Sequence, residues 1–309
     1  MQNNNRNPLF LSVDVELTNL CRNNCAICPR HALTRPKGFM STECFDELIH
    51  FLTAHKPIIT FSGMGDPLLN RNWDYFIIAA KSKGYNVGLN AHPASLKEDD
   101  NLKRLGAAKP NRFYLSFPGL DRASFEVINP SISFDEAVEV AEKTALVAKG
   151  SFGLTVSGIS AGTDVSKEQE FKNMWRKKGI RAHVFKCHSR GGNLADTRFV
   201  TGSKAQAETK SRPCSLFMFH TFIAWNGAIL ACCHDLDGST KLNCLKNSNP
   251  QSLLAIKKKT ASSPMPFRIC SNCDEPLRYL SLPLDSKLDS ITSRKELFRK
   301  AYPKGLNQI

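Results

Sequence analysis

Residues 11–17, LSVDVEL, alternate apolar and polar side chains, the two-residue period of a strand with two different faces. Ser41 then precedes Phe45, Leu48, Ile49 and Leu52, an i, i+3, i+4, i+7 stripe that predicts a helix buried along one side. A short apolar strand, IITFSG at 58–63, comes next. Asn70 is placed to cap a second helix with the stripe Trp73, Phe76, Ile77 and Ala80, ended by Gly84. The alternation continues with a strand near 85–90, a helix near 95–104 and a strand at 112–117. A helix opened by the capping box Ser133–Glu136 and closed at Gly150 follows. A fifth strand covers roughly 152–159; its helix runs from Ser166, with Gln169 three residues on, to Gly179; RAHVFKC at 181–187 is the sixth strand.

Six strand–helix units in order predict a parallel sheet with right-handed crossovers. The expected fold is α/β, an open sheet or a partial (β/α)6 barrel of the TIM type, with its working face at the carboxyl ends of the strands. After residue 190 the pattern changes. Gly191-Gly192 and a polar stretch to about Arg212 lead to two apolar runs, FMFHTFIA and AILACC, joined at Asn226-Gly227, which reads as a β-hairpin. The expected division is a barrel over 1–190, a linker over 191–212 and a smaller unit with a tail over 213–309.

A chain of 309 residues with 41% apolar content can bury one large core and a small appendage. No stretch of about 18 apolar residues exists, so no membrane span is expected. The opening MQNNNRNPLF lacks the build of a signal peptide, and a cytoplasmic location is expected. Eleven cysteines in a reducing compartment are not a disulfide framework, which makes metal ligation their default use. The net charge of +14 would draw an acidic partner over a distance. Its basic residues are scattered, however, and no aromatic residues interleave with Lys257-Lys258-Lys259, so a nucleic-acid partner is not expected.

Cys21, Cys25 and Cys28 are spaced C-x3-C-x2-C just beyond the first strand. Three thiolates in one loop can hold three corners of a cubane cluster and leave one iron open to a small molecule, whereas structural zinc takes four protein ligands. The run CRNNCAIC resembles the CxxxCxΦC signature of the radical S-adenosylmethionine (radical SAM) superfamily, with Ile27 in the apolar position. The resemblance implies a [4Fe-4S] cluster whose open iron is chelated by SAM. An electron from a reductant such as flavodoxin or ferredoxin would split SAM into methionine and a 5′-deoxyadenosyl radical that takes hydrogen from an unactivated carbon. It also implies cofactor contacts by position. SGMGDP resembles the family's Gly-Gly-Glu region, pointing Gly63, Gly65 and Asp66 at the SAM ammonium. Ser116 would reach the ribose or carboxylate, Val156, Gly158 and Ile159 would pack on adenine, and Arg190 would reach the SAM carboxylate. At the third strand end, which lacks the common Asn-Gly pair, Asn90 and His92 are candidates to line the site, with a solvated loop histidine as the favoured reading.

Cys214-x12-Gly227-x4-Cys232 with Cys270-x2-Cys273 resembles the SPASM and twitch extensions of that superfamily. This implies a twitch-like hairpin and helix extension carrying one auxiliary [4Fe-4S] cluster on Cys214, Cys232, Cys270 and Cys273. A four-cysteine zinc site is the rival reading. Cys233 is an alternative to Cys232, since strand alternation lets only one of the neighbours face the metal. Cys44 reads as a small buried residue. Cys187, Cys233 and Cys244 are candidate hydrogen-atom donors or else inert buried thiols.

A saturated auxiliary cluster implies electron transfer, hence oxidation or cross-linking of a natural-product precursor, either a peptide or an aminoglycoside-like small molecule. Radical epimerisation with a cysteine hydrogen donor is a second possibility. Outside enzymology stand an iron–sulfur electron carrier and a zinc-stabilised binding module. Only 20 residues precede Cys21, so a peptide substrate is expected to be recognised by the barrel or by a separate partner.

Overall fold

The computed structural model describes residues 12–97, 99–161, 165–194, 196–200, 214–261, 263 and 266–275. Six parallel strands follow one another as β1 (Ser12–Val15), β2 (Ile58–Phe61), β3 (Val87–Ala91), β4 (Arg112–Pro118), β5 (Gly153–Ser160) and β6 (Arg181–Lys186). Between them run α1 (Thr42–Leu52), α2 (Trp73–Ser82), α3 (Asp99–Ala108), α4 (Arg122–Ile128), α5 (Phe134–Ala148) and α6 (Val165–Lys177). The six strands form the parallel sheet of a partial TIM barrel that does not close.

Alternation along each strand sorts the residues between two faces. On β4, Phe113, Leu115 and Phe117 are fully buried beneath the helices, while Arg112, Tyr114 and Ser116 face the other side. Phe117 knits three helices to the sheet: its ring lies 4.4 Å from Phe125 of α4, 5.5 Å from Phe134 of α5 and 5.2 Å from Trp175 of α6. Phe45 of α1 stacks on Phe76 of α2 at 4.5 Å, with Phe61 of β2 beneath. The expected caps at Ser41 and Ser133 are present, the latter as a complete capping box.

Several local expectations are corrected. Asn70 does not cap α2, which starts after Asn72; its amide instead donates to Leu17 O and Met40 O, pinning the end of β1 from inside. α4 was not expected. It is opened by Asp121, whose side chain accepts from Ser124 N–H in a capping box without Glu. α3 begins later than expected because Pro93–Leu96 forms a separate 3-10 turn. His92 is not solvated: it is buried, accepts from Ala94 N–H and shares a 2.9 Å hydrogen bond with Asn129.

From residue 214 on, α7 (Ser215–Phe219) takes up Phe217, Met218 and Phe219, which the apolar run had placed in a strand. β7 (His220–Ile223) then pairs parallel with β1, and β8 (Ala228–Leu230) and β9 (Lys241–Cys244) add antiparallel, so nine strands make one sheet. Gly227 closes the β7–β8 loop at φ +78°, where Gly227 N–H donates to Ala224 O and Ala224 N–H to Ala228 O. This is a three-residue loop with a glycine bulge rather than a two-residue turn. α8 (Pro250–Thr260) and α9 (Arg268–Ser271) follow. Among the described residues no helix is long and apolar enough to cross a membrane.

One buried ion pair holds the junction. The Arg35 guanidinium grips Glu16, just past β1, through two hydrogen bonds of 3.0 and 3.1 Å, and its Nε donates to Asp235 O. Glu16 also accepts from Met64 N–H beyond β2. Removing one partner strands a buried charge. Arg35→Ala is therefore expected to destabilise the fold by about 3–5 kcal/mol, read from the midpoint of urea denaturation.

Candidate active site

The loop carrying Cys21, Cys25 and Cys28 leaves the carboxyl end of β1 and is braced from both sides. Thr18 donates its hydroxyl to Gly38 O, Asn19 donates to Pro36 O, and Gly38 N–H returns a bond to Asn19. From the other side, Asp66 N–H donates to Leu20 O. Gly65 is needed for that approach, since an added Cβ would fall 2.2 Å from Thr18 O and 2.5 Å from Leu20 O. Gly63 presses on Glu16 in the same way. Within the loop, Cys28 N–H donates to Cys25 O, Asn23 N–H to Cys21 Sγ, and Arg30 to Asn23 O. The Cys25 thiol points at Asn129 Oδ1, 3.4 Å away.

The three thiols feel one another. Burial first, then Cys28 and Cys21, push the Cys25 thiol up to about 12, and burial raises Cys21 as well. Three cysteines in one braced loop are a soft donor set that bound iron would convert to thiolates. The residues present thus fit a cluster held through three corners.

The other sequence-derived candidates divide. Ile27 and Cys187 share a small apolar cluster with Ile128 and Leu194, against which Cys25 and Ile159 pack. Ser116 is exposed on the face away from the helices. Gly158 faces the helices, where an added Cβ would lie 2.8 Å from Phe171, so that side of β5 is filled by packing. Asp66 is buried and its carboxylate already accepts from Leu68 N–H and the Ser95 hydroxyl. Arg190 occupies the left-handed region, φ +55°, in the turn after β6.

The second cysteine group also converges. Cys214, Cys232, Cys233, Cys270 and Cys273 line one cavity of about 40 Å³ together with Phe217, His220 and His234. Cys214 stands at the start of α7, Cys232 and Cys233 follow β8, and Cys270 and Cys273 flank the end of α9. Cys233 packs against Phe222, Ala224 and Leu230, while Cys232 accepts from His234 N–H. Cys244 lies elsewhere. It neighbours Cys44 of α1, whose thiol burial first, then Glu47 and Cys244, push up to about 11.

The turn after β6 is clamped by the segment carrying Cys270 and Cys273. Ser189 donates from its backbone N–H and its hydroxyl to Asp274, and Asn193 donates to both Arg190 O and His234 O. Gly191 and Gly192, both at positive φ, lie where an added Cβ would meet Ile269 at 2.6 Å and Asn272 at 2.9 Å. Sequence reasoning missed Glu16, Arg35, Asn129, His188, Asp274 and Glu275. Each is a partner rather than a motif residue, and only Asp274 and Glu275 carry a signal, their adjacency to the C-x2-C pair.

The sequence matches the radical SAM superfamily over residues 15–169, half of the chain, beginning on β1 and spanning the three-cysteine loop. The chain belongs to that superfamily. Membership implies a [4Fe-4S] cluster and SAM. No curated protein matches the sequence. Solved structures share the fold at low identity. SuiB of Streptococcus suis, bound to precursor peptide SuiA, is 14% identical with a TM-score of 0.62, covering 78% of this chain; the match spans 63% of SuiB. BtrN in complex with AdoMet and 2-DOIA is 14% identical with a TM-score of 0.55, covering 87% of this chain and 94% of BtrN. The protein anSMEcpe with bound AdoMet is 14% identical with a TM-score of 0.60, covering 95% of this chain and 97% of the other.

The clamp on the turn after β6 is testable without substrate. Hydrogen bonds to a charged acceptor contribute about 1.5–3 kcal/mol, so Asp274→Ala should speed hydrogen exchange at the Ser189 amide by about tenfold or more. Amides in β2 and β3 should keep their wild-type rates.

Proposed function

We infer that this chain cleaves SAM at a cluster held by Cys21, Cys25 and Cys28 and abstracts hydrogen from a peptide or aminoglycoside-like small molecule. The same reading has the substrate electron leave through a twitch-type auxiliary [4Fe-4S] cluster on Cys214, Cys232, Cys270 and Cys273. The observation that carries it is the grouping of the cysteines. One set stands at the carboxyl end of β1 and the other lines a single cavity beside β7, the strand paired with β1. Three thiols suit a cluster with an open iron; four or more suit a closed one.

Bound there, the first cluster would supply the electron that generates the 5′-deoxyadenosyl radical from SAM. The chain's own residues prepare the place. Gly63 and Gly65 let the β2 loop close on the cysteine loop, Ile27 and Ile159 line an apolar wall beside Cys25, and the Arg190 turn is presented at the end of β6. Loss of one hydrogen atom, one electron and one proton from an alcohol carbon gives a carbonyl; the same sequence at a peptide carbon permits cross-linking. A peptide substrate agrees with SuiB's complex with its precursor peptide, and a small molecule with BtrN's complex with 2-DOIA. A flavodoxin or ferredoxin of the cytoplasm would be the reductant.

Cys187 favours one variant of this reading. Packed with Ile27 on the Cys25 side, it is the candidate thiol nearest in environment to the first cluster, whereas Cys244 adjoins Cys44 and Cys233 lines the second cavity. If the chain epimerises its substrate, Cys187 is the hydrogen donor, and Cys187→Ala would abolish solvent deuterium incorporation while SAM cleavage persists.

The main reading is tested with reconstituted protein, by iron and sulfide analysis and by chromatography of 5′-deoxyadenosine after dithionite reduction. Alanine at Cys21, Cys25 or Cys28 should lower 5′-deoxyadenosine formation by at least about a thousandfold, the scale of losing an essential cofactor. The Cys270→Ala, Cys273→Ala double variant should lose about half of the iron and still cleave SAM. Full iron in that variant, or zinc bound through sulfur in the wild-type cavity, would remove the auxiliary cluster from the account.

A further inference from the structure

Three buried donor side chains converge at a point where neither cysteine group is needed. His188 follows β6, His234 follows Cys233, and Glu275 lies just past Cys273. The Nε2 atoms of both histidines approach the same carboxylate oxygen, Oε2 of Glu275, at 3.0 and 2.8 Å. The three ligand atoms lie within 4.8 Å of one another. The two imidazoles stand edge to face with centroids 5.0 Å apart, and the three residues are only 7%, 3% and 9% exposed.

We propose that His188, His234 and Glu275 form a site for one divalent first-row transition metal of the zinc(II) or iron(II) class. Donor atoms spaced this closely can share one ion, and a dication there would answer the buried carboxylate of Glu275. Asp274 Oδ1 stands behind them, 3.8 Å from His188 Nδ1.

The donor set and its surroundings fit the dication. Two imidazoles and a carboxylate are ligands of zinc and iron(II); magnesium and calcium prefer shells of oxygen. A ligating histidine usually donates its second ring N–H to a carboxylate, and Asp274 stands on that side of His188. With a metal on Nε2, His188 Nδ1 would be the ring atom left to face Asp274; in the structure it accepts from Arg190 N–H at 3.3 Å. The ligands come from three separate segments, so the ion would pin the turn after β6 to both strands of chain that carry the second cysteine group. None of the cysteines serves as a ligand, although His234 and Glu275 line the same cavity as Cys232 and Cys273, so the ion would lie beside the place proposed for the auxiliary cluster.

The test uses full-length protein with its iron–sulfur content reconstituted, incubated with zinc sulfate and desalted. Zinc, iron and sulfide are then measured and a zinc K-edge absorption spectrum is recorded. The expected result is about one zinc per chain with nitrogen and oxygen neighbours at about 2.0–2.1 Å. His188→Asn and Glu275→Gln should each lower retained zinc by about tenfold or more, with iron and sulfide unchanged. Failure of the wild type to retain zinc overturns the proposal, as does a first shell of sulfur at about 2.3 Å, which would place the ion on cysteines. Equal retention by the variants overturns it too, leaving the triad a hydrogen-bonded brace. If a variant folds poorly, the wild-type spectrum alone decides between the triad and the cysteines.

Discussion

Glu16 and Arg35 meet where four segments come together: the end of β1, the loop after β2, the strap behind the cysteine loop and the turn after Cys233. Such a pair gives little net stability over an apolar replacement, because desolvating both ions offsets most of their attraction. Its value is directional. A bidentate guanidinium accepts its carboxylate in one plane and one register, so the strap can settle against β1 in only one way. The strap's own bonds add to this: Thr34 and Arg35 N–H both donate to Leu236 O, and Gly38 and Pro36 receive bonds from Thr18 and Asn19. The cysteine loop inherits its shape from that frame, with few bonds of its own.

β1 is also the hinge of the architecture in a topological sense. Its one edge carries β2 and the remainder of the parallel sheet; the other carries β7 and the antiparallel pair β8 and β9. The first cysteine group leaves from β1, and the second is gathered around β7 and β8 on the other side of it. Asp235 completes the link by accepting from Gly238 N–H, Thr240 N–H and the Thr240 hydroxyl, which holds the turn after Cys233 in the form that Arg35 reaches. What looks in the chain like a separate appendage shares its sheet, and part of its buried polar network, with the barrel.

The six parallel strands and most of the helices between them were legible from period and caps: β4 alternates cleanly and α5 has a complete capping box. The first cysteine group stood out by its spacing, and the second only by its resemblance to a known pattern. What escaped notice was set by distant partners. Asn70 looks like a helix cap in sequence, yet its amide is claimed by Leu17 O and Met40 O. His92 looks like a solvated loop residue until Asn129, in a stretch with no helical stripe to mark it, folds over it. Phe217–Phe219 read as strand because a three-residue apolar run has no period to measure, and tertiary packing against α8 and Phe267 decides for helix. Glu16, an acid in an alternating strand, gave no hint that its counter-ion lay beyond the cysteines.

Trp225 at the tip of the β7–β8 loop lies over Gly38 of the strap, with its indole N–H donating to Pro36 O. A methyl group at position 38 would sit 2.5–2.7 Å from three atoms of that ring. Neither residue belongs to a motif, yet each sets what the other can be. Over evolutionary time the two positions can drift only as a pair: a side chain gained at 38 must be met by a smaller residue at 225, and a chain that keeps the indole must keep the glycine.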